Sequence, residues 1–590
     1  MKDGFKRFYN DSFDDNENGI KIENIKDAKV FYDSSYLLDK NTELSSKKDI
    51  KYEFNTETHT RFVNSADGYA ITLKDPEAKF DYSLASYRVR AEFNDSVLAV
   101  SFESSNPYTA SASGWATYRD EWLIRYINNP KFLEDNNLEY VHETTKEVNE
   151  NGYEVQTFSI VINDNENVDC PYYNISVVRK PNEFIKFYLF VQKSKTDAYQ
   201  EHLDIINSFK NVEDFGRSSL HVGELELKRN PNWNEETNEY YSRLLDYNTF
   251  DFGFFRYSLK GDNEPEARDE HTQKVIDDTK WYKEGMGYDV EILPTYAHLG
   301  FGSFDTYFPT TSALQVAGGN GQNDLPVLQF TLQYTRNNNN VSIWNTEENH
   351  TPIYDVMRGK YDDYFRTLAT EVKKYARPIL FRLNNEMNTD WTSYSGMMSL
   401  LDPEIFQIGW RRLYDIFEEE GVNNCIWIFN PVADTCPYSS WSEDMCFMPG
   451  IDYVQALGVT RYEMMNDDSH SLTFLQGYGP SSALYNKNKK TWANYPWIIS
   501  EFGCGSGGSN SGELYRNKDK QEAWVEEMFE AFANKRDNNT FKRYSVAVWF
   551  NTNDIIGGKI ENALWIDPDL TDTVKAFKNG FAKIKENGYK

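Results

Sequence analysis

Ile379-Leu-Phe-Arg-Leu383, running on into Asn384-Asn385-Glu386, decides how this chain folds. It is a short apolar run with polar residues at its exit, and helical stretches flank it, Asp355 to Tyr375 before and Pro403 to Glu420 after. The same grammar repeats in both directions. Apolar strands are expected at Phe252 to Tyr257, Val290 to Thr295, Val327 to Gln333, Cys425 to Phe429, Tyr453 to Val459, Trp497 to Ser500 and Ser545 to Phe550, with a further helix at Lys518 to Asn534. Eight apolar strands alternating with helices over residues 246–590 predict an α/β fold, a closed (β/α)8 TIM barrel.

Upstream the pattern changes. Residues 51–215 carry runs that alternate at period two: Tyr69 to Leu73, Tyr87 to Phe93, Val97 to Phe102, Val155 to Ile162, Tyr173 to Val178 and Ile185 to Val191. Such alternation suits half-buried antiparallel strands, and Asn151-Gly152 is a turn signal. With a helix at about 198–209 this segment reads as a smaller α+β domain built on an antiparallel sheet. Ending in Ile205-Ile-Asn-Ser-Phe-Lys210, it resembles the PsbP/Mog1-like domains. Residues 1–50, with an acidic tract from Asp11 to Glu17, read as a polar arm, and 216–245 as a polar linker.

Composition bounds the partners. A net charge of −30 opposes binding to nucleic acid or to an anionic membrane, and a 16% aromatic content marks a folded chain. No apolar run reaches the ~18 residues of a membrane span, and the first residues lack the apolar stretch of a signal peptide. Five cysteines, Cys170, Cys425, Cys436, Cys446 and Cys504, form no CxxC pair, and the eight histidines show no HExxH spacing, so neither a metal nor another cofactor is expected. A monomer is expected.

In a barrel of this kind the chemistry sits at the C-terminal ends of the strands. Glu386 follows the fourth strand and Glu501 the seventh, ends that face each other across the mouth. Two facing carboxylates are what glycosidic cleavage needs, one protonated to donate to the leaving oxygen and one ionised to attack the anomeric carbon.

The stretch Met357-Arg-Gly-Lys-Tyr-Asp-Asp-Tyr364, then Pro378 to Trp391, resembles the heart of glycoside hydrolase family 26, the β-mannanase family of clan A. Ile426-Trp-Ile-Phe-Asn-Pro431, Met448 to Val454, Gly458-Val-Thr-Arg-Tyr462 and Ile499-Ser-Glu-Phe-Gly503 extend the likeness in order. The resemblance implies that Glu386 is the general acid/base and Glu501 the nucleophile of a retaining double displacement. It also implies that Tyr462 holds the nucleophile and that Arg382 lies beside the pair. Trp391 and Trp549 would offer flat faces to sugar rings. Where the family has His before the acid/base this chain has Asn385, the pairing of the rest of clan A, and Thr460 replaces an Asp. Mannan, β-glucan and β-xylan therefore all stay open as the polysaccharide substrate, as does a non-catalytic carbohydrate-binding barrel. Action on such a substrate implies an extracellular or cell-surface location.

Gly503-Cys-Gly-Ser-Gly-Gly508 fits GxGxxG after a strand but precedes no helix, and reads as a mobile loop beside Glu501. His298, after the second strand, could line the sugar cleft but reads rather as part of a surface loop.

Overall fold

The structure, a computed structural model, describes residues 29–32, 50–64, 68–81, 89–104, 130–164, 168–180, 183–195, 198–211, 224–261, 265–299, 308–319, 326–335, 351–389, 391–396, 398–400, 402–435, 443–464, 471–508, 515–516, 518–556, 559–566 and 568–589. Eight parallel strands close a barrel: β1 Asp251–Phe255, β2 Ile292–His298, β3 Val327–Gln333, β4 Ile379–Leu383, β5 Cys425–Phe429, β6 Ala456–Glu463, β7 Trp497–Cys504 and β8 Tyr544–Phe550. Closure is made by β1 on β8, in register from Asp251 opposite Val546 to Phe255 opposite Phe550.

Strand β4 shows why the sequence folds this way. Leu380 points into the barrel, while Ile379, Phe381 and Leu383 point out under the helices, where the Phe381 ring meets Phe417 at 5.4 Å and Trp427 at 4.4 Å. A strand buried on both faces must be apolar at nearly every position. The boundaries move where local chemistry intervenes. β2 runs on to His298 and β7 through Glu501 to Cys504, while β6 starts late because Ile451–Tyr453 is a 3-10 turn. The expected helix Asp355 to Tyr375 is two helices, Pro352–Met357 and Asp362–Tyr375, parted at Gly359 with φ +75°.

The linker expectation for 216–245 fails in its second half. Glu235–Leu245 is a helix, α1, capped by Asn234 accepting from the Thr237 N–H. With Trp233 it forms a floor: Trp233, Tyr240, Tyr241 and Leu244 pack against inward residues of six strands, Ile292, Leu380, Ile426, Ala456, Ile498 and Val546. The Trp233 Nε1–H donates to the Cys425 carbonyl at 2.7 Å, and the Tyr241 hydroxyl to that of Gln455 at 2.7 Å.

The N-terminal part holds two antiparallel sheets. Seven strands lie in the order Lys79–Asp81, Val89–Phe93, Ser96–Ser104, Glu183–Val191, Tyr172–Lys180, Glu154–Ile162 and Leu138–Val148. Five others lie in the order Lys29–Tyr32, Ile50–Asn55, Thr60–Asn64, Tyr69–Leu73 and Lys210–Asn211, so the segment read as a polar arm contributes one strand. Alternation splits the seven-stranded sheet. Leu98 and Val100 face the smaller sheet and the helix Tyr199–Asn207, while Val97 and Ala99 belong to the cluster shared with the barrel. Arg358, 4% exposed, ties the two parts by donating to the carbonyls of Asn136, Asn137 and Asn163 at 2.6, 2.9 and 2.6 Å. Among the described residues no helix is long and apolar enough to cross a membrane.

Candidate active site

The barrel interior changes character above its apolar floor. On β3, Thr331 and Gln333 share the inward parity of Gln329, and on β4 Arg382 sits two residues past inward Leu380. Gly458 of β6 leaves room for this layer, since a Cβ there would strike the side chains of Ile428, Ser500 and Asn430. Arg382 is fully buried and spends its whole fork: Nε donates to Thr331 Oγ1 at 2.8 Å, Nη1 to Asn430 Oδ1 at 3.1 Å, and Nη2 to the Tyr296 hydroxyl at 2.5 Å and Glu501 Oε2 at 2.8 Å.

Glu501 reaches the mouth by a backbone irregularity. On β7, Trp497 and Ile499 point outward and Ile498 inward, so strict alternation would send Glu501 out under the helices. The ladder with β6 instead jumps from Val459 opposite Ile499 to Thr460 opposite Glu501, and the ladder with β8 shifts over the same residues. The extra residue, Ser500, turns Glu501 inward, while Phe502 packs outside on Trp524 and Trp549. There the Tyr462 hydroxyl donates to Oε1 at 2.6 Å and the Tyr296 hydroxyl to Oε2 at 2.5 Å. Burial, more than the adjacent carboxylate, pushes both phenols well above their usual range, so both keep their protons and remain donors. Burial works against charge on Arg382, yet Tyr296 and Glu501 more than restore it and keep the guanidinium protonated.

Glu386 sits past β4 with φ +60°, two residues after Asn384 at φ +47°, a strained exit of the kind that clusters at functional sites. Its N–H donates to the Asn430 carbonyl at 2.8 Å, and its Oε2 accepts from Trp391 Nε1 at 2.9 Å. Trp391 is 36% exposed. Glu386 and Glu501 both act electrostatically on Arg382, Tyr394 and Tyr462, which places the two carboxyls around one centre. Asn385 is buried and its Oδ1 accepts from Gln333 Nε2 at 2.8 Å, while its carbonyl takes the Tyr394 hydroxyl at 2.6 Å.

The structure thus gathers Glu386, Glu501, Arg382, Asn385, Trp391 and Tyr462. Trp549 is a correction. It is fully buried on the outer side of β8, its ring 5.4 Å from Phe502 and 5.1 Å from Phe577, because Val546 and Val548 hold the inward parity. That parity brings Phe550 to the mouth instead, stacked on Phe255 at 5.0 Å and edge-on to Tyr462 at 5.9 Å. Tyr296 lies past Thr295, where the apolar run that marks β2 in the sequence ends; parity counted on from inward Ile292 reaches Tyr296 and His298. His298 is on the strand, half-buried rather than in a surface loop, with Nδ1 at 2.5 Å from Thr335 Oγ1, and burial lowers its pKa to about 4. The glycine run is not a loose loop over its described part. Gly507–Gly508 pairs with Tyr515–Arg516 and with Asn562, and the Gly505 N–H donates to the Glu463 carbonyl at 2.8 Å. Burial pushes the Cys504 thiol well up, which disfavours the thiolate. Among the described residues no group of His, Cys, Asp and Glu could hold a metal ion. Cys436, His350 and His470 lie outside the described residues.

The family model for glycosyl hydrolase family 26 matches residues 327–487. This stretch of the barrel is similar to family 26. The matched segment spans β3 to β6, with Glu386 and Tyr462, and ends before Glu501, whose place at the mouth rests on the bulge in β7. Endoglucanase H of Acetivibrio thermocellus is 26% identical over 201 residues, which are 34% of this chain and 20% of that protein, so the match spans about a fifth of the relative's length. Among solved structures, a family 26 endo-β-1,4-mannanase catalytic domain from Bacillus sp. JAMB-750 is 14% identical with a TM-score of 0.39, covering 61% of this chain and 92% of its own. A family 26 β-mannanase from Bacteroides ovatus is 15% identical with a TM-score of 0.37, covering 58% and 93%.

Proposed function

We propose that the barrel is a retaining endo-β-glycosidase that hydrolyses a β-linked polysaccharide, with Glu501 as nucleophile and Glu386 as acid/base. The observation that carries this reading is the asymmetry of the two carboxyls. Glu501 accepts from a buried guanidinium and two half-buried phenols, donors that favour an anion, whereas Glu386 accepts from the neutral indole of Trp391. In the first step Glu386 gives its proton to the glycosidic oxygen as a Glu501 oxygen bonds to the anomeric carbon. In the second, water deprotonated by Glu386 attacks that carbon and releases Glu501. Arg382 and the phenols stay in place throughout and offset the charge that Glu501 loses and regains.

Asn385 supports a second reading of specificity, a β-glucan or β-xylan in place of mannan. Its Oδ1 accepts from Gln333, and the relative above is named an endoglucanase. Such substrates lie outside cells, and an extracellular or cell-surface location is part of this proposal.

Reducing-end release from glucomannan, mixed-linkage β-glucan and xylan tests it. One of the three is expected to be cleaved, with retained anomeric configuration in the first-formed product by proton NMR, and both Glu501→Ala and Glu386→Ala are expected to lose at least about 10⁴-fold in kcat. Inverted product would refute the double displacement. Wild type as inert as Glu501→Ala on all three, with binding kept, would leave a carbohydrate-binding barrel.

A further inference from the structure

Tyr296 is a residue that neither the family 26 segment, which begins at residue 327, nor the sequence pattern singles out. It comes from β2, on the far side of the barrel from Tyr462 on β6, and the two hydroxyls take opposite oxygens of one carboxylate. Tyr296 is also linked to Arg382. Nη2 donates to the phenol oxygen at 2.5 Å while the phenol donates to Glu501 Oε2 at 2.5 Å, so a guanidinium, a phenol and a carboxylate form a closed triangle. The ring is fixed edge-on against Phe255 at 4.5 Å, and nothing in that packing depends on the hydroxyl.

We propose that Tyr296 is a positioning residue that, with Arg382, reserves Oε2 of Glu501 as the spectator oxygen and so commits Oε1 to attack the anomeric carbon. The inference rests on the double displacement above. An oxygen holding two strong donors, one of them charged, has its lone pairs engaged and is the poorer nucleophile. Among the described residues, Oε1 accepts from the Tyr462 hydroxyl alone. In the first step the Oε1–C1 bond forms, the C1–O bond to the leaving sugar breaks, and the Glu386 proton goes to that sugar. Oε2 then becomes the carbonyl oxygen of the glycosyl ester. In the second step the water oxygen bonds to C1, its proton returns to Glu386, and the electrons of the C1–Oε1 bond return to the carboxylate. The charge regained there is met by Arg382 and Tyr296 already in place. The groups facing Glu501 are Tyr296 of β2, Arg382 of β4, Tyr462 of β6, and, acting at longer range, Glu386 and Tyr394 after β4.

Tyr296→Phe removes one oxygen and keeps the ring. A lost hydrogen bond to a charged group corresponds to roughly a tenfold to hundredfold change in an equilibrium or rate. The acidic limb of kcat/KM is therefore expected to move up by about one pH unit or more, with kcat down about tenfold or more and KM little changed or lowered. A ¹³C-carboxyl NMR titration of Glu-labelled protein, assigned by the signal missing in Glu501→Gln, reads the Glu501 protonation midpoint without turnover; it is expected to move up in Tyr296→Phe. Circular dichroism and urea unfolding close to wild type would confirm that the fold persists. An unmoved NMR midpoint overturns the proposal whether or not the enzyme is active. A wild type inert on every glycan, with the midpoint still moved, would instead refute the hydrolase reading and leave Tyr296 as a positioner of the carboxylate alone.

Discussion

Replacing Arg382 by Met tests the electrostatic heart of the barrel. The guanidinium is fully buried and makes four hydrogen bonds, to Thr331, Asn430, Tyr296 and Glu501, the last also an ion pair at 2.8 Å with a carboxylate side chain that is 11% exposed. Removing one partner of a buried pair strands the other, at about 3–5 kcal/mol, and the slight access of water to Glu501 places this case at about 3. Glu501→Gln alone strands Arg382 in turn and is expected to cost about 2–3 kcal/mol. The double variant has no stranded charge, so its cost is expected to fall short of the sum by about 2 kcal/mol. Arg382→Lys keeps the charge but cannot span the four partners, and is expected to fall between wild type and Met. Urea unfolding followed by tryptophan fluorescence is the assay, because 12 of the 14 tryptophans lie after residue 230 and the signal reports on the barrel. If the double variant equals the sum of the single ones within about 0.5 kcal/mol, Arg382 and Glu501 are not coupled and the account of the site is wrong.

The two tryptophans first expected at the mouth should separate cleanly. Trp549→Ala empties a fully buried site and is expected to cost about 3–5 kcal/mol of stability while leaving KM for the glycan near wild type in the protein that folds. Trp391→Ala, at an exposed position, is expected to change stability by less than about 0.5 kcal/mol but to raise KM or lower kcat about tenfold, since it removes both a flat face and the donor to Glu386; unchanged kinetics would remove Trp391 from the site. On the opposite, lower side of the barrel, burial first and Asp251 second push Glu291 up to about 8. The folded state then holds a proton that the unfolded chain, titrating near 4.5, has released, so this residue's contribution to stability is lost as pH rises from about 4.5 to about 8. Glu291→Gln should therefore gain on wild type between pH 5 and pH 8 in urea titrations, and a pH-independent difference would contradict the assignment.

What was legible in the chain follows from what burial demands. The eight strands could be read because each is covered on both faces and is apolar at nearly every position, as Ile379 to Leu383 and Cys425 to Phe429 show. The same uniformity hides which face a residue takes. Trp549 was placed at the mouth because it ends an apolar strand, although Val546 and Val548 hold the inward parity and leave the mouth to Phe550. The floor helix was passed over for its charged composition, yet its signals were present: an Asn cap at 234 and a stripe of Trp233, Tyr240, Tyr241 and Leu244.

Glu501 marks the limit of such counting. Its position after an apolar strand was visible, but parity carried strictly from Ile498 would bury it among the helices with Trp524, where an unpaired carboxylate would be costly. Only the extra residue at Ser500 turns it inward, and no residue type in Ile499-Ser-Glu-Phe502 announces a bulge. The bulge is favoured by what the carboxylate meets once inside: Arg382 from β4, Tyr296 from β2 and Tyr462 from β6, donors separated by dozens of residues in the chain. A glutamate in a β-bulge facing a buried guanidinium and two half-buried phenols is a property of the closed barrel rather than of any local segment: parity from Ile292 turns Tyr296 inward, but only the closed barrel brings its hydroxyl to Glu501.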